Sequence, residues 1–329
     1  MSLEMPRRRL LLGGAAAALT AALPRVYAQA KPLLQVGGLP VTCNLTLPVA
    51  TLASGGLFEF SKFAGWPEIK ESLMSGRLKA AYMLAPLIMD LAESQIPVKV
   101  VSLGHRSGAV IMVRSDSPYR VFKDLRGKRI AIPSRFAVDY LYLRKMLAKE
   151  GMTVKEIEVV EMAPPDMPAA LYARAVDGYA TGEPFGAVAQ KAGYARPISM
   201  TRDEWPNYIC CVLTVRDELI KGERPLVQQL VNHVQGAGTW LDANPANRTK
   251  AVEIAAGPRF FNQDVNVLKF VMENPSDRVT YGDLRLIRAE FEELLQLSME
   301  AGTIRRRARY ENYVDESFVK NIKPASISL

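Results

Sequence analysis

Short apolar runs alternate along this chain with stretches in which apolar residues recur three and four apart. That rhythm predicts strand–helix units and parallel sheets covered by helices. In the first part, strands are expected at 33–37, 58–63, 80–83 and 98–103, with helices at 45–53, 67–74 and 86–93. Pro67 opens its helix where a missing N–H costs nothing, and Gly76 stands at the stop. The run 109–113 is followed by Ser115-Asp116-Ser117-Pro118, a polar, proline-containing stretch that reads as a crossover. A second series then brings strands at 129–132, 158–161 and 178–180, with helices at 136–150, 167–175 and 184–192. The β-prone run 209–215 leads the chain back. Beyond Glu218 the spacing is helical, at 225–241, 246–255, 265–272, 284–301 and 311–318.

Two α/β lobes joined by two crossover strands, with a helical tail, follow from this order. The expected division is 31–114 plus 215–329 for the first lobe and its tail, and 115–214 for the second. In such sheets ligands sit beyond the carboxyl ends of the strands, where loops feed helix N-termini.

The first thirty residues follow neither rhythm. Arg7-Arg8-Arg9-Leu10-Leu11-Leu12 leads into an apolar run, 13–23, and closes on Ala28-Gln29-Ala30. A charged start, a short apolar middle and a small-x-small end read as an export signal, of a type similar to twin-arginine signals, cleaved so that the mature chain starts near Lys31. No second apolar run approaches the ~20 residues needed to cross a bilayer, so the exported chain is expected to be soluble. Of the net charge of +8, the first thirty residues carry four Arg and one Glu, which leaves +5 for the remainder. The one dense basic run, Arg305-Arg306-Arg307, lacks interleaved aromatics and reads as a solvated helix end rather than a nucleic-acid patch. Three cysteines are too few for a disulfide framework, and two histidines show no recognised metal-ligand spacing; no cofactor is expected.

Several segments, in order, carry a resemblance. They are Gly65-Trp66-Pro67, Gly76-Arg77-Leu78-Lys79-Ala80-Ala81 before Leu84-Ala85-Pro86, and Asp124-Leu125-Arg126-Gly127-Lys128 with Ile130-Ala131-Ile132-Pro133. Leu143-Arg144-Lys145-Met146-Leu147, Pro164-Pro165-Asp166-Met167-Pro168, Val176-Asp177-Gly178-Tyr179 and Gly182-Glu183-Pro184-Phe185 continue them. Over roughly 33–255 the chain resembles the nitrate/sulfonate/bicarbonate-type (NMT1/THI5-like) periplasmic substrate-binding proteins of ABC transporters. The resemblance implies a periplasmic-binding-protein-like (type II) clamshell that hands a small polar solute to an ABC permease and ATPase by hinge closure. A monomer in the periplasm, without enzymatic activity, is the matching expectation.

Candidate ligand-binding residues follow from the loops at the expected cleft. Thr42, Cys43 and Asn44 lie between the first strand and its helix, where they either face the cleft or cap the helix. Trp66 is either a wall of the cleft, as the resemblance implies, or core. Ala85 belongs to the matching Leu84-Ala85-Pro86 segment. His105 opens a loop that is either a polar rim or solvated. Ser134 and Arg135 precede the long second-lobe helix, an anion-friendly position, or else cap and decorate it. Asp139, with Tyr140, falls on that helix's first turn. Glu183 either meets a ligand donor or caps its helix. Tyr208 and Cys210, with Cys211, stand at the return strand. The cysteines are either small residues of a buried strand or, converging with Cys43, a grip for a soft metal or metalloid.

The resembling proteins have a histidine near Asp139 and a lysine where Cys210-Cys211 stand. A carboxylate and thiols in place of cationic donors argue against a bare oxyanion and for a zwitterionic, neutral or cationic organic solute. Two alternatives stay open: a pyrimidine-precursor-type enzyme on the same scaffold, and a sensory adaptor that presents its ligand to a membrane kinase.

Overall fold

The computed structural model describes residues 33–206, 208–320 and 322–329. The export signal read at 1–30 lies outside them. Residues 33–329 form one compact unit.

Twelve strands are described: β1 Leu34–Gly38, β2 Phe58–Lys62, β3 Ala80–Leu84, β4 Val98–Leu103, β5 Arg106–Ser107, β6 Ala109–Arg114, β7 Arg129–Ile132, β8 Glu158–Glu161, β9 Gly178–Gly182, β10 Ala195–Met200, β11 Cys211–Arg216 and β12 Val279–Thr280. Helices α1 Thr46–Ala53, α2 Trp66–Met74 and α3 Ala85–Glu93 belong to the first sheet's connections. Helices α4 Val138–Lys149, α5 Met167–Tyr172, α6 Phe185–Lys191 and α7 Thr201–Glu204 belong to the second. Helices α8 Asp217–Ala243, α9 Pro245–Ala256, α10 Val265–Glu273, α11 Arg288–Glu300 and α12 Tyr310–Tyr313 complete the chain.

Two five-stranded sheets, in the orders β2-β1-β3-β11-β4 and β10-β6-β9-β7-β8, form the two lobes of the type II clamshell. Both are mixed rather than purely parallel. In the first sheet β11 runs antiparallel to β3 and β4, and in the second β6 runs antiparallel to β9 and β10. The reason is the crossing itself. β4 ends at the cleft edge of the first sheet, and after the five intervening residues 104–108 β6 enters the second sheet from its cleft edge, so it runs away from the cleft against its neighbours. β10 and β11 repeat the manoeuvre in reverse. The two crossing segments also touch: Arg106 bridges Ile209, and the Ser107 N–H donates to the Tyr208 carbonyl at 3.1 Å.

Strand membership therefore differs from the expected division. Residues 109–114 pair in the second sheet, not the first, so Ser115–Pro118 lies within the second series rather than between lobes. Cys211–Arg216 lies wholly in the first sheet. The apolar run 109–113 looked like one more strand of the first series because polarity alone does not reveal which sheet a strand joins.

Strand β10 has no counterpart among the expected strands; Pro197 within it sits at a register shift on the sheet's edge, where a missing N–H is tolerated. The tail helices shift as well. The helix expected at 225–241 runs from Asp217, with a break in helical geometry at Glu223 just before Pro225. The one expected at 284–301 starts at Arg288, and 311–318 divides into α12 and a short turn, Glu316–Phe318. No helix among the described residues is long and apolar enough to cross a membrane.

Candidate functional site

The crossing geometry delivers side chains to one place. After β1 the chain turns into a single helical turn, Thr42–Asn44. The Asn44 side-chain oxygen accepts the Leu39 N–H at 2.9 Å, and both the N–H and the hydroxyl of Thr42 donate to the Glu183 carbonyl of the other lobe, at 2.9 and 3.0 Å. Cys43, between them, is thereby held at the cleft edge. From β11, Cys211 aligns with Leu84 at the end of β3. The Ala85 N–H donates to the Cys210 carbonyl at 2.9 Å and the Gly104 N–H to that of Cys211 at 3.0 Å, which pins the cysteine pair between the ends of β3 and β4. His105 follows directly.

One ligand atom from each of Cys43, His105 and Cys211 lies within 4.8 Å of the others, and all three residues are buried. The Cys210 and Cys211 sulfurs are 3.9 Å apart, and every cysteine is a free thiol. The second lobe faces them with Asp139 on the first turn of α4, Thr181 and Gly182 at the end of β9, and Pro133 and Pro164. Gly182 leaves room for this approach: a Cβ there would stand a tight 3.3 Å from the Cys43 sulfur. The enclosed cavity has a volume of about 20 Å³, room for roughly one water or one ion. A recess of about 420 Å³ shares Trp66, Pro133 and Pro164 with it and carries Ser134, Glu68 and Glu161 at its walls.

A larger hollow, about 740 Å³, lies elsewhere, lined mainly by prolines and aromatics such as Tyr172, Phe185 and Phe261. Its carboxylate, Asp264, caps α10 through the Asn266 N–H. We assign the site to the small cavity because ionisable groups from both lobes converge there, and the hollow offers no such convergence.

Electrostatics single out Cys43. A hydrogen bond from Cys211 and then the charge of His105 hold its thiol down, at about 5, against the opposing effect of burial. Burial would lower His105, yet the Cys43 thiolate and Cys210 raise it to about 10. The two groups thus favour each other's charged form, while the long Cys211 N–H contact to His105 Nε2, 3.3 Å, suits a neutral ring. Burial pushes Cys211 up, while Cys210 falls to about 7. Burial, with the Cys210 and Cys43 charges, raises Asp139 well above the ordinary carboxyl range; its hydrogen-bond partner is the Tyr208 hydroxyl, at 3.4 Å. These influences favour the neutral carboxyl of Asp139 and the charged form of Cys43.

Of the sequence candidates, Cys43, Trp66, Asp139 and Cys210 line the cavity, and His105 and Tyr208 stand directly behind it. The loop at His105 is buried, not solvated. Ser134 lies in the outer recess. The remaining candidates are corrected. Arg135 turns outward to Glu161 at 3.3 Å and over the Tyr140 ring. Glu183 receives the Ala187 N–H at 2.9 Å and pairs with the buried Arg278 at 3.2 Å, so it braces its helix and the tail. Thr42, Ala85 and the side-chain oxygen of Asn44 make the backbone bonds described above, which position neighbours, while the Asn44 side-chain nitrogen is buried without a partner among the described residues. Sequence reasoning missed Thr181, which carries no signal, being one threonine in an apolar strand.

The family model of the NMT1-like family matches residues 17–256. The chain belongs to the NMT1-like family. In sequence this NMT1-like chain is similar to the nitrate import ATP-binding protein NrtC of Synechococcus elongatus, 28% identical over 259 residues, covering 71% of this chain and 39% of that one. It is also similar to the nitrate/nitrite binding protein NrtA of a Nostoc species, 23% identical over 280 residues, covering 76% of this chain and 62% of that one. The chain thus spans between about two fifths and three fifths of the length of these curated relatives. Among solved structures, the ligand-binding component of an ABC-type import system from Staphylococcus aureus, with zinc bound, is 26% identical with a TM-score of 0.80, covering 90% of this chain and 100% of that one.

Proposed function

We propose that this NMT1-like chain is an exported solute-binding protein that closes two lobes on a small ligand in the periplasm and passes it to an ABC permease and ATPase. The observation that carries this reading is the enclosed cavity at the facing edges of two sheets, lined by Cys43 and Cys210 from one lobe and Asp139 and Thr181 from the other. Nitrate-import relatives and a ligand-binding component of an ABC-type importer support it. In this reading the lobes divide by strand membership, at the crossings just before Ala109 and Cys211, and the protein is monomeric.

A melting screen of the purified chain against small solutes tests the reading. A true ligand at ~100 times its Kd raises stability by about 2.7 kcal/mol and is recovered unchanged. A second reading, an enzyme, is favoured by the Cys43–His105 pair, the arrangement that activates a thiol nucleophile. Turnover of a hit from the screen would establish it in place of the receptor.

A further inference from the structure

We infer a soft-cation site at the inner wall of the cavity, in which Cys43 and Cys211 from the lining and His105 directly behind them hold a divalent d10 ion of the zinc or cadmium class. As an identification of the cargo this rests on the receptor reading; as a binding site it stands alone.

Two thiols and an imidazole are the donor set that such ions select. Their donor atoms lie within 4.8 Å of one another. With metal–sulfur bonds of about 2.3 Å and metal–nitrogen bonds of about 2.0–2.1 Å, tetrahedral ligation brings such atoms to within roughly 3.5–3.8 Å, so a small contraction completes the site. The three come from a helical turn, the segment after β4 and the start of β11, each fixed by backbone bonds, so the triangle exists before any ion arrives. A second observation points the same way. His105 Nδ1 is buried without a hydrogen-bond partner of regular geometry among the described residues, and the other ring nitrogen accepts the Cys211 N–H at a long 3.3 Å. An ion on either nitrogen replaces that contact.

Charge and size agree. Two thiolates, a neutral imidazole and a dication sum to zero, which avoids burying net charge. The volume of about 20 Å³ suits one ion or one water. The outer recess carries the carboxylates Glu68 and Glu161, the latter paired with Arg135. Binding needs no redox partner. Metal–sulfur bonds form at Cys43 and Cys211 and a metal–nitrogen bond at His105. Two protons leave to solvent, whether they start on both thiols or on Cys211 and the imidazolium.

The test uses the full chain, reduced and desalted without oxygen, and titrated with cadmium and then with zinc. The expected result is a thiolate-to-cadmium charge-transfer absorption that saturates at one equivalent and is erased by zinc, with release of two protons. Cys43→Ser and Cys211→Ser each weaken binding by more than about 100-fold, beyond the ~10–100-fold typical of outer-shell partners, and His105→Gln weakens it less. Absence of the absorption in the wild-type chain overturns the inference even if no variant folds, and so does a band that persists at full strength in both serine variants. A wild-type chain stabilised by an oxyanion or sulfonate but silent to cadmium sinks the cation and leaves the receptor standing. A chain that binds cadmium tightly and shows no association with a permease keeps the site and sinks the receptor.

Discussion

Thr42 gives both its backbone N–H and its hydroxyl to a single acceptor, the carbonyl oxygen of Glu183, at 2.9 and 3.0 Å. The two residues belong to different lobes, so this doubled bond is a latch beside the cavity.

Thr42→Val keeps the shape and the backbone bond but removes the hydroxyl donor. We expect a loss of about 0.5–1.5 kcal/mol, the net worth of one hydrogen bond, and a larger radius of gyration in solution scattering as the lobes part. A variant as compact and as stable as the wild type would show that the latch carries nothing.

Arg278 and Glu183 are a buried ion pair, 3.2 Å apart and almost without solvent contact. Removing one partner leaves an uncompensated charge, so Arg278→Ala should cost about 3–5 kcal/mol in chemical denaturation. Burial already raises the Glu183 carboxyl, and Arg278 pulls it back. Without Arg278 it rises further, and a raised acid loses stability as pH climbs through its folded value. The deficit should therefore grow from pH 4 to pH 8 and shrink when Glu183→Gln is added.

The Cys43–His105 pair predicts a stability plateau with two shoulders. Cys43 is lowered from 9.0 to about 5, so its contribution is complete above pH 9 and is lost as pH falls through 5. His105 is raised from 6.5 to about 10, so its contribution is complete below pH 6.5 and is lost as pH rises through 10. Between 6.5 and 9 the two slopes offset. Melting curves of the metal-free protein should show this plateau, and Cys43→Ser should flatten both shoulders while moving the His105 resonance titration downward. An unmoved His105 titration would refute the pairing.

Asp139→Asn should stabilise the ligand-free protein. The raised Asp139 carboxyl favours folding below the ordinary 3.8 and loses that contribution as pH rises. The variant's advantage is thus small at pH 4 and larger at pH 8 in parallel melts. The reverse order would mean that the carboxylate is charged and paired.

Arg135→Ala should leave ligand affinity unchanged and shift stability by no more than about 1 kcal/mol, because its bridge to Glu161 is half exposed and outside the cavity. Lost affinity in calorimetry would put the cleft in the wrong place.

The alternation of apolar runs and helical spacing was enough to place nearly every strand and helix, because each buries one face and writes that face into the sequence. It was enough as well to mark Cys43, Trp66, Asp139 and Cys210, since loops at the carboxyl ends of strands must border a cleft in this architecture. It did not reveal that 109–114 joins the second sheet or that β10 exists. Sheet membership is a choice of partner, and Pro197 disguised an edge strand.

Local pattern, then, determined the elements and the loops from which a site is built. Tertiary structure alone decided the directions of the side chains: Arg135 away to Glu161, Glu183 onto Arg278, and Cys43, His105 and Cys211 onto one point. The physical reason is separation along the chain. Residues 43, 105 and 211 meet only because two crossing segments return the chain to the same edge of the same sheet, and no spacing in the sequence records that return.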